Sequence, residues 1–213
     1  MAVRYFPTDR LRDLRELVER AADEFGDRPA FRDLDPSGIV HTHTYSQLRD
    51  DVAALGTAML ARGLAGRHIA LVGESAYGYV VCYLAVVNSG GVVVPLDKEL
   101  TTRELIHLVD KSDAEVLLYG VALAPDAAAI VRACPRVRTT VAISLYETPD
   151  ASASEILTDL LQTGRDLLAQ GDTCYADLTS RPDAPCGFLF TSGTTRANKG
   201  VLLSPHNITS VVA

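Results

Sequence analysis

The cysteines come without a pairing pattern. Cys82, Cys134, Cys174 and Cys186 contain no C-x-x-C pair, and no histidine stands at zinc-ligand spacing from them, so zinc-ribbon, finger and thioredoxin-type motifs are excluded. They read as reduced core residues. Basic charge is also short: 20 Lys and Arg against 27 Asp and Glu leave a formal net charge of −7. General affinity for DNA or RNA needs a basic face to neutralise phosphates, so no nucleic-acid partner is expected. Long apolar runs are missing too. Charged residues from Arg4 to Arg20 leave no apolar segment for a signal peptide. The longest apolar stretch, Ala76 to Val87, has twelve residues, well below the roughly 20 that cross a bilayer. It is expected as a buried helix in a cytoplasmic protein. Finally, there is no Gly-x-Gly pair and no Gly-x-x-x-x-Gly-Lys-Ser/Thr run, so the dinucleotide fingerprint and the Walker A loop are both absent.

What is present is enough for a core. A chain of 213 residues that is 47% apolar buries roughly 70% of its unfolded surface without help from disulfides or metals. Leu11, Leu14, Leu17, Val18, Ala21, Ala22 and Phe25 recur at helical spacing and predict an amphipathic first helix. Short extended pieces are expected at Ala30 to Leu34 and Ile39 to His43. Thr44 with Gln47 has the form of a capping box, and Leu48, Val52, Leu55, Met59 and Leu60 then trace one helical face up to Gly63. From there strand-length runs at Ile69–Val72, Val92–Val94, Val116–Tyr119 and Val141–Ile143 alternate with helix-like stretches. Thr101 with Glu104 and Ser152 with Glu155 supply two further helix-start boxes. Continuous Val/Ile/Leu strands suit a sheet covered on both faces. The expected fold is therefore α/β, a layered and mostly parallel sheet flanked by helices. Polar, proline-containing chain between Ala169 and Pro185 reads as loop.

Chemistry concentrates near the C-terminus. A strand-like run, Cys186 to Phe190, leads into Thr191-Ser192-Gly193-Thr194-Thr195-Arg196-Ala197-Asn198-Lys199-Gly200. Hydroxyls, backbone N–H groups beside glycine and one lysine suit a polyphosphate, because glycine lets the backbone approach the anion while the ammonium supplies compact positive charge. No Asp or Glu follows Asp183, so this end of an acidic chain is locally cationic. The competing reading of the same residues is a Ser/Thr/Gly-rich surface turn. Ser204 before Pro205 then opens a new helix, which the chain leaves after a few residues and which implies a longer parent protein.

Phe190 through Val201 resembles the phosphate-loop signature of the adenylate-forming superfamily, Tyr/Phe-Thr-Ser-Gly-Thr-Thr-Gly-x-Pro-Lys-Gly-Val, at ten of twelve positions. Thr44-Tyr45-Ser46-Gln47-Leu48 and the stretch from Asn88-Ser89-Gly90-Gly91 to Pro95-Leu96-Asp97 resemble two earlier segments of that family, and the closest tone is that of fatty-acid-type acyl-CoA ligases. The resemblance implies a two-step reaction in which a carboxylate attacks ATP to give acyl-AMP and pyrophosphate, and coenzyme A then takes the acyl group. It also implies that Thr191, Ser192, Gly193, Thr194, Thr195, Lys199 and Gly200 hold the β- and γ-phosphates of Mg·ATP. Two positions depart from the signature: Arg196 replaces Gly, and Asn198 replaces Pro. The family's adenine-stacking aromatic, magnesium-binding Glu, ribose-binding Asp and C-terminal domain follow the loop by well over a hundred residues. Residues 1–213 are thus expected to be an N-terminal fragment of the AMP-binding domain, with residues 1–180 an α/β subdomain and 181–213 the strand, phosphate loop and a truncated helix. Alone it would be inactive, and uncovered apolar surface would favour self-association. The alternatives are a non-catalytic nucleotide-binding module and a truncated interaction domain.

Other candidates read as structural. His41 and His43 share a face of an edge strand and are expected to be solvated. Tyr77, Tyr79 and Tyr83 are expected to pack in the core, His206 to lie on the surface, and Asp97, Lys98 and Glu99 to form a solvated loop.

Overall fold

The computed structural model describes residues 10–191 and 199–211. Helix α1 (Leu14–Phe25) starts at Asp13, whose carboxylate accepts from the Glu16 backbone N–H at 2.8 Å. Leu11 therefore precedes the helix rather than opening it. Strands β1 (Pro29–Leu34) and β2 (Val40–Thr44) form a separate antiparallel hairpin. Helix α2 (Tyr45–Ala61) follows, with the expected reciprocal box between Thr44 and Gln47. Gly63, at φ +64°, then adopts the left-handed backbone that lets the chain leave the helix.

The remaining chain alternates as the apolar runs predicted: β3 (His68–Val72), α3 (Tyr77–Asn88), β4 (Val92–Leu96), α4 (Thr102–Lys111), β5 (Val116–Tyr119), α5 (Ala124–Ala133), β6 (Thr139–Ala142), β7 (Glu155–Ile156), α6 (Leu157–Ala169), β8 (Gly187–Thr191), β9 (Lys199–Leu203) and α7 (Pro205–Thr209). The sheet order is β7-β6-β5-β3-β4-β8-β9. Every neighbouring pair is parallel except β8 and β9, which are antiparallel.

Alternation along each strand feeds two cores. Ile69 and Leu71 pack with Val52, Leu55, Val81, Leu157 and Leu160 from α2, α3 and α6. Ala70 and Val72 point the other way, onto Leu105, Leu108 and Ile130 of α4 and α5. Because side chains on both faces are buried, the strands read as unbroken apolar runs. Each fully buried Leu or Ile here contributes about 1.5–3 kcal/mol. Helices α2 and α6 approach so closely that a Cβ on Gly164 would lie 1.8 Å from the Ala54 carbonyl oxygen.

Several expectations need correction. The Ser152/Glu155 box does not form: Glu155 pairs into β7, and α6 begins after Ile156 with no side-chain cap. The Ser152 hydroxyl instead donates to Asp150 in the preceding turn, a local competition to which Ser is prone. Cys82, Cys134 and Cys186 are buried, whereas Cys174 is exposed. The α3 segment is not buried all round, since Tyr79, Val80, Tyr83 and Leu84 stay half-exposed. Among the described residues no helix is long and apolar enough to cross a membrane.

Candidate functional site

The β8–β9 hairpin carries the candidate loop to the carboxyl edge of the sheet. The Cys186 backbone N–H donates to the Leu203 carbonyl at 2.8 Å, closing the base of the hairpin. Above it the register runs Gly187 with Leu203, Phe188 with Leu202, Leu189 with Val201, Phe190 with Gly200 and Thr191 with Lys199. Thr191 and Lys199 thus face each other at the two ends of the connection, both exposed. Ser192, Gly193, Thr194 and Thr195, like Arg196 and Asn198, lie outside the described residues.

Gly200 is required by a close approach. A Cβ there would fall 1.9 Å from the Phe188 ring, which packs on Phe190 at a centroid distance of 4.9 Å. The Lys111 ammonium lies 6.0 Å from the Phe190 ring centroid, within cation–π range. Directly after β9, Ser204 caps α7 and Pro205 fills its first turn, as the Ser-Pro pair predicted. His206 is exposed.

Charge at this edge is partly committed. Lys98, just beyond β4, donates to both Glu74 oxygens at 2.8 and 2.7 Å, and that hydrogen bonding raises its pKa above the ordinary lysine value. Lys199 forms no ion pair among the described residues. Among the described residues no three His, Cys, Asp or Glu side chains converge as metal ligands.

The histidines differ from expectation. The His43 Nε2 hydrogen-bonds with Asp33 at 3.1 Å and with the Tyr146 hydroxyl at 2.8 Å, and its ring stacks on Tyr77 at 3.6 Å. His41 hydrogen-bonds with Asp35 at 3.0 Å and stacks on Tyr146 at 4.1 Å. Both are half-buried by aromatic partners far along the chain, which spacing within β2 alone has no means of revealing. Tyr77 is buried and donates to Asp51 at 2.9 Å. Burial pushes the hydroxyl pKa of Tyr77 up, and that of Tyr79 up to about 12. Tyr79 and Tyr83 pack against the core without being fully covered.

A mostly parallel sheet between two helical layers, with a hydroxyl- and glycine-rich connection at its carboxyl edge, defines a doubly wound α/β protein of the kind that gathers ligands at that edge. The chain belongs to the AMP-binding enzyme family, which matches residues 18–213. A crotonobetaine/carnitine–CoA ligase of Escherichia fergusonii is 24% identical over 92% of this chain and 37% of its own length. A Mycobacterium tuberculosis CoA ligase, named for a methyl-dioxo-octahydroindenyl propanoyl group, is 31% identical over 80% of this chain and 33% of its own. The chain thus spans about a third of the length of these relatives. Among solved structures, a long-chain-fatty-acid–CoA ligase from Archaeoglobus fulgidus superposes with a TM-score of 0.79 at 17% identity, over 98% of this chain and 40% of that one. The adenylation and carrier didomain of a carboxylic acid reductase from Segniliparus rugosus, solved with AMP, gives 0.75 at 22% identity, over 93% of this chain and 32% of that one. These likenesses establish the shared fold.

Proposed function

We propose that the chain is the N-terminal part of an AMP-forming acyl-activating ligase, of fatty-acid type, and that its β8–β9 connection grips the triphosphate of ATP. The observation that carries this reading is the register that sets Thr191 opposite Lys199 at the carboxyl edge. Thr191, Ser192, Gly193, Thr194 and Thr195 donate to the β- and γ-phosphates, Gly200 lets β9 pass beneath the Phe188 ring, and Lys199 neutralises charge on the departing pyrophosphate. A substrate carboxylate oxygen attacks the α-phosphorus, the bond to the β-phosphate bridging oxygen breaks, and acyl-AMP and pyrophosphate result. The carboxylate is already a nucleophile, so this step needs no general base. The thiolate of coenzyme A then attacks the acyl carbon and AMP leaves. Magnesium would accompany the ATP, with its protein ligands supplied by chain beyond residue 213. The exposed Val201 and Leu202 of β9 support contact with that further chain or self-association of this one, and the setting is cytoplasmic.

The test is a calorimetric titration of the 213-residue chain with Mg·ATP, alongside carboxylate-dependent pyrophosphate release across a fatty-acid panel. One charge-assisted contact contributes about 1.5–3 kcal/mol, so Lys199→Ala should weaken ATP binding about tenfold or more. Pyrophosphate release should require a chain extended by the downstream family segments. An unchanged affinity in Lys199→Ala refutes the phosphate grip. Pyrophosphate from the 213-residue chain alone refutes the division of labour, and binding without turnover in the extended chain leaves only a nucleotide-binding module.

A further inference from the structure

A second opening lies on the same sheet edge, away from β8. The chain lays down β3 first, passes through α3 to β4 on one side, and returns through α4 to β5 on the other. Because α3 leaves the end of β3 over one face and α5 leaves the end of β5 over the other, a gap opens between the carboxyl ends of these two strands. This is the topological switch point at which open α/β sheets bind ligands. Gly73 and Gly120 leave the two strands there, and a Cβ on Gly73 would come within 3.1 Å of the Gly120 nitrogen. Above them a crevice of about 370 Å³ opens. The β1–β2 hairpin forms its lip, held to the body by the His43–Tyr146 hydrogen bond. Leu34, Tyr79, Leu123, Ile143, Leu145 and Tyr146 give it an apolar wall.

Its charge has one sign. Asp33, Asp35, Glu74 and Glu147 line the crevice, and among the described residues no Lys or Arg does. Asp33 accepts from the Tyr146 hydroxyl at 3.2 Å and hydrogen-bonds with His43. Asp35 accepts from the Ser37 hydroxyl at 2.6 Å and the Ile39 N–H at 2.9 Å, and hydrogen-bonds with His41. These bonds hold the Asp35 carboxyl well below the usual range. Glu74 is paired with Lys98, whereas Glu147 meets no cation among the described residues.

We propose that this crevice is a binding site, separate from the phosphate loop, for a small organic ammonium with an apolar body. The body enters the aliphatic and tyrosine wall, and the ammonium faces the carboxylates and the ring of Tyr79. An anion is opposed here by every formal charge on the lining.

Tryptamine, tryptophol and indole-3-propionate share one apolar body and differ in charge, so titrating all three into the 213-residue chain isolates the sign. Tryptamine should bind about tenfold tighter than tryptophol, the worth of one charge-assisted contact, and indole-3-propionate more weakly than either. Glu147→Gln, at an exposed position, should lower tryptamine affinity about threefold, as for a partly solvated pair, and leave tryptophol unchanged. Ala122→Trp, on the exposed lip, should abolish binding of both. Lys199→Ala should leave tryptamine affinity intact, which separates this site from the ATP reading. Urea midpoints matching the parent chain confirm that the variants are folded. The proposal is overturned if tryptophol or indole-3-propionate binds as tightly as tryptamine, or if tryptamine binding survives Ala122→Trp.

Discussion

Replacing Gly164 by Ala sets two well-measured effects against each other. Gly is about 1 kcal/mol worse than Ala in a helix interior, so α6 considered alone predicts a gain. The neighbouring helix predicts the opposite. The added methyl would lie 1.8 Å from the Ala54 carbonyl oxygen and 2.4 Å from its carbonyl carbon, whereas unstrained contacts to carbon lie near 3.5 Å. Relief requires α2 and α6 to part by roughly 1.5 Å. The obstacle is backbone, so no rotamer change provides it. Parting the helices also loosens Leu157 and Leu160 against Val52 and Leu55. Overpacking costs about 1–3 kcal/mol and occasionally more; a backbone obstacle puts this site at about 3–4 kcal/mol, so a net loss of about 2–3 kcal/mol is expected after the propensity gain of about 1 kcal/mol. For a chain of this size that lowers Tm by about 4–12 °C, at 2–4 °C per kcal/mol. Thermal and urea unfolding followed by circular dichroism would show it. A Gly164→Ala chain as stable as the parent, or more so, would refute the argument that backbone contact sets this helix spacing.

Thiol reactivity should follow burial. Cys174 is exposed, while burial drives the Cys82 thiol up to about 12 and the Cys186 thiol to about 11, so a neutral-pH thiol reagent should modify Cys174 alone in the native chain and all four cysteines in urea. Labelling of Cys82 as fast as Cys174 would contradict the packing of α3. On the acid side, Asp13, Asp35, Asp150, Glu16 and Glu104 are all held below their ordinary values of 3.8 or 4.5. A depressed carboxyl contributes stability above its unfolded pKa and loses it as pH falls through the folded one. Urea midpoints should therefore be level near neutrality and decline below about pH 4.5; a midpoint rising over that range would reverse the sign.

The layered fold was legible because burial on both sheet faces leaves its mark as unbroken Val/Ile/Leu runs, and because the Thr44/Gln47 and Thr101/Glu104 boxes mark two helix starts locally. The Ser152 box misled because Ser followed by Glu three residues on carries no signal of whether the chain turns into helix or first adds a strand. β9 hid inside the loop signature, where glycine and lysine look like ligand-binding chemistry rather than half of a hairpin. Most of the candidate loop was visible as a residue string, but the opposition of Thr191 and Lys199 required the register. The switch-point crevice was invisible. Its walls come from Asp33, Gly73, Gly120 and Tyr146, and only the order of strands brings them together.

A two-stranded ribbon counts in pairs, since sliding one strand by a single residue turns every side chain on it to the other face. Here the Phe188 ring sits over Gly200 and leaves no room for a side chain. A one-residue slip would bring Lys199 or Val201 to that place, and either would collide with the ring. The aromatic residue thus acts as a pawl that admits one tooth of the ratchet. Lys199 is held opposite Thr191 by that collision, and changes in loop length are confined to those that leave Gly200 beneath Phe188.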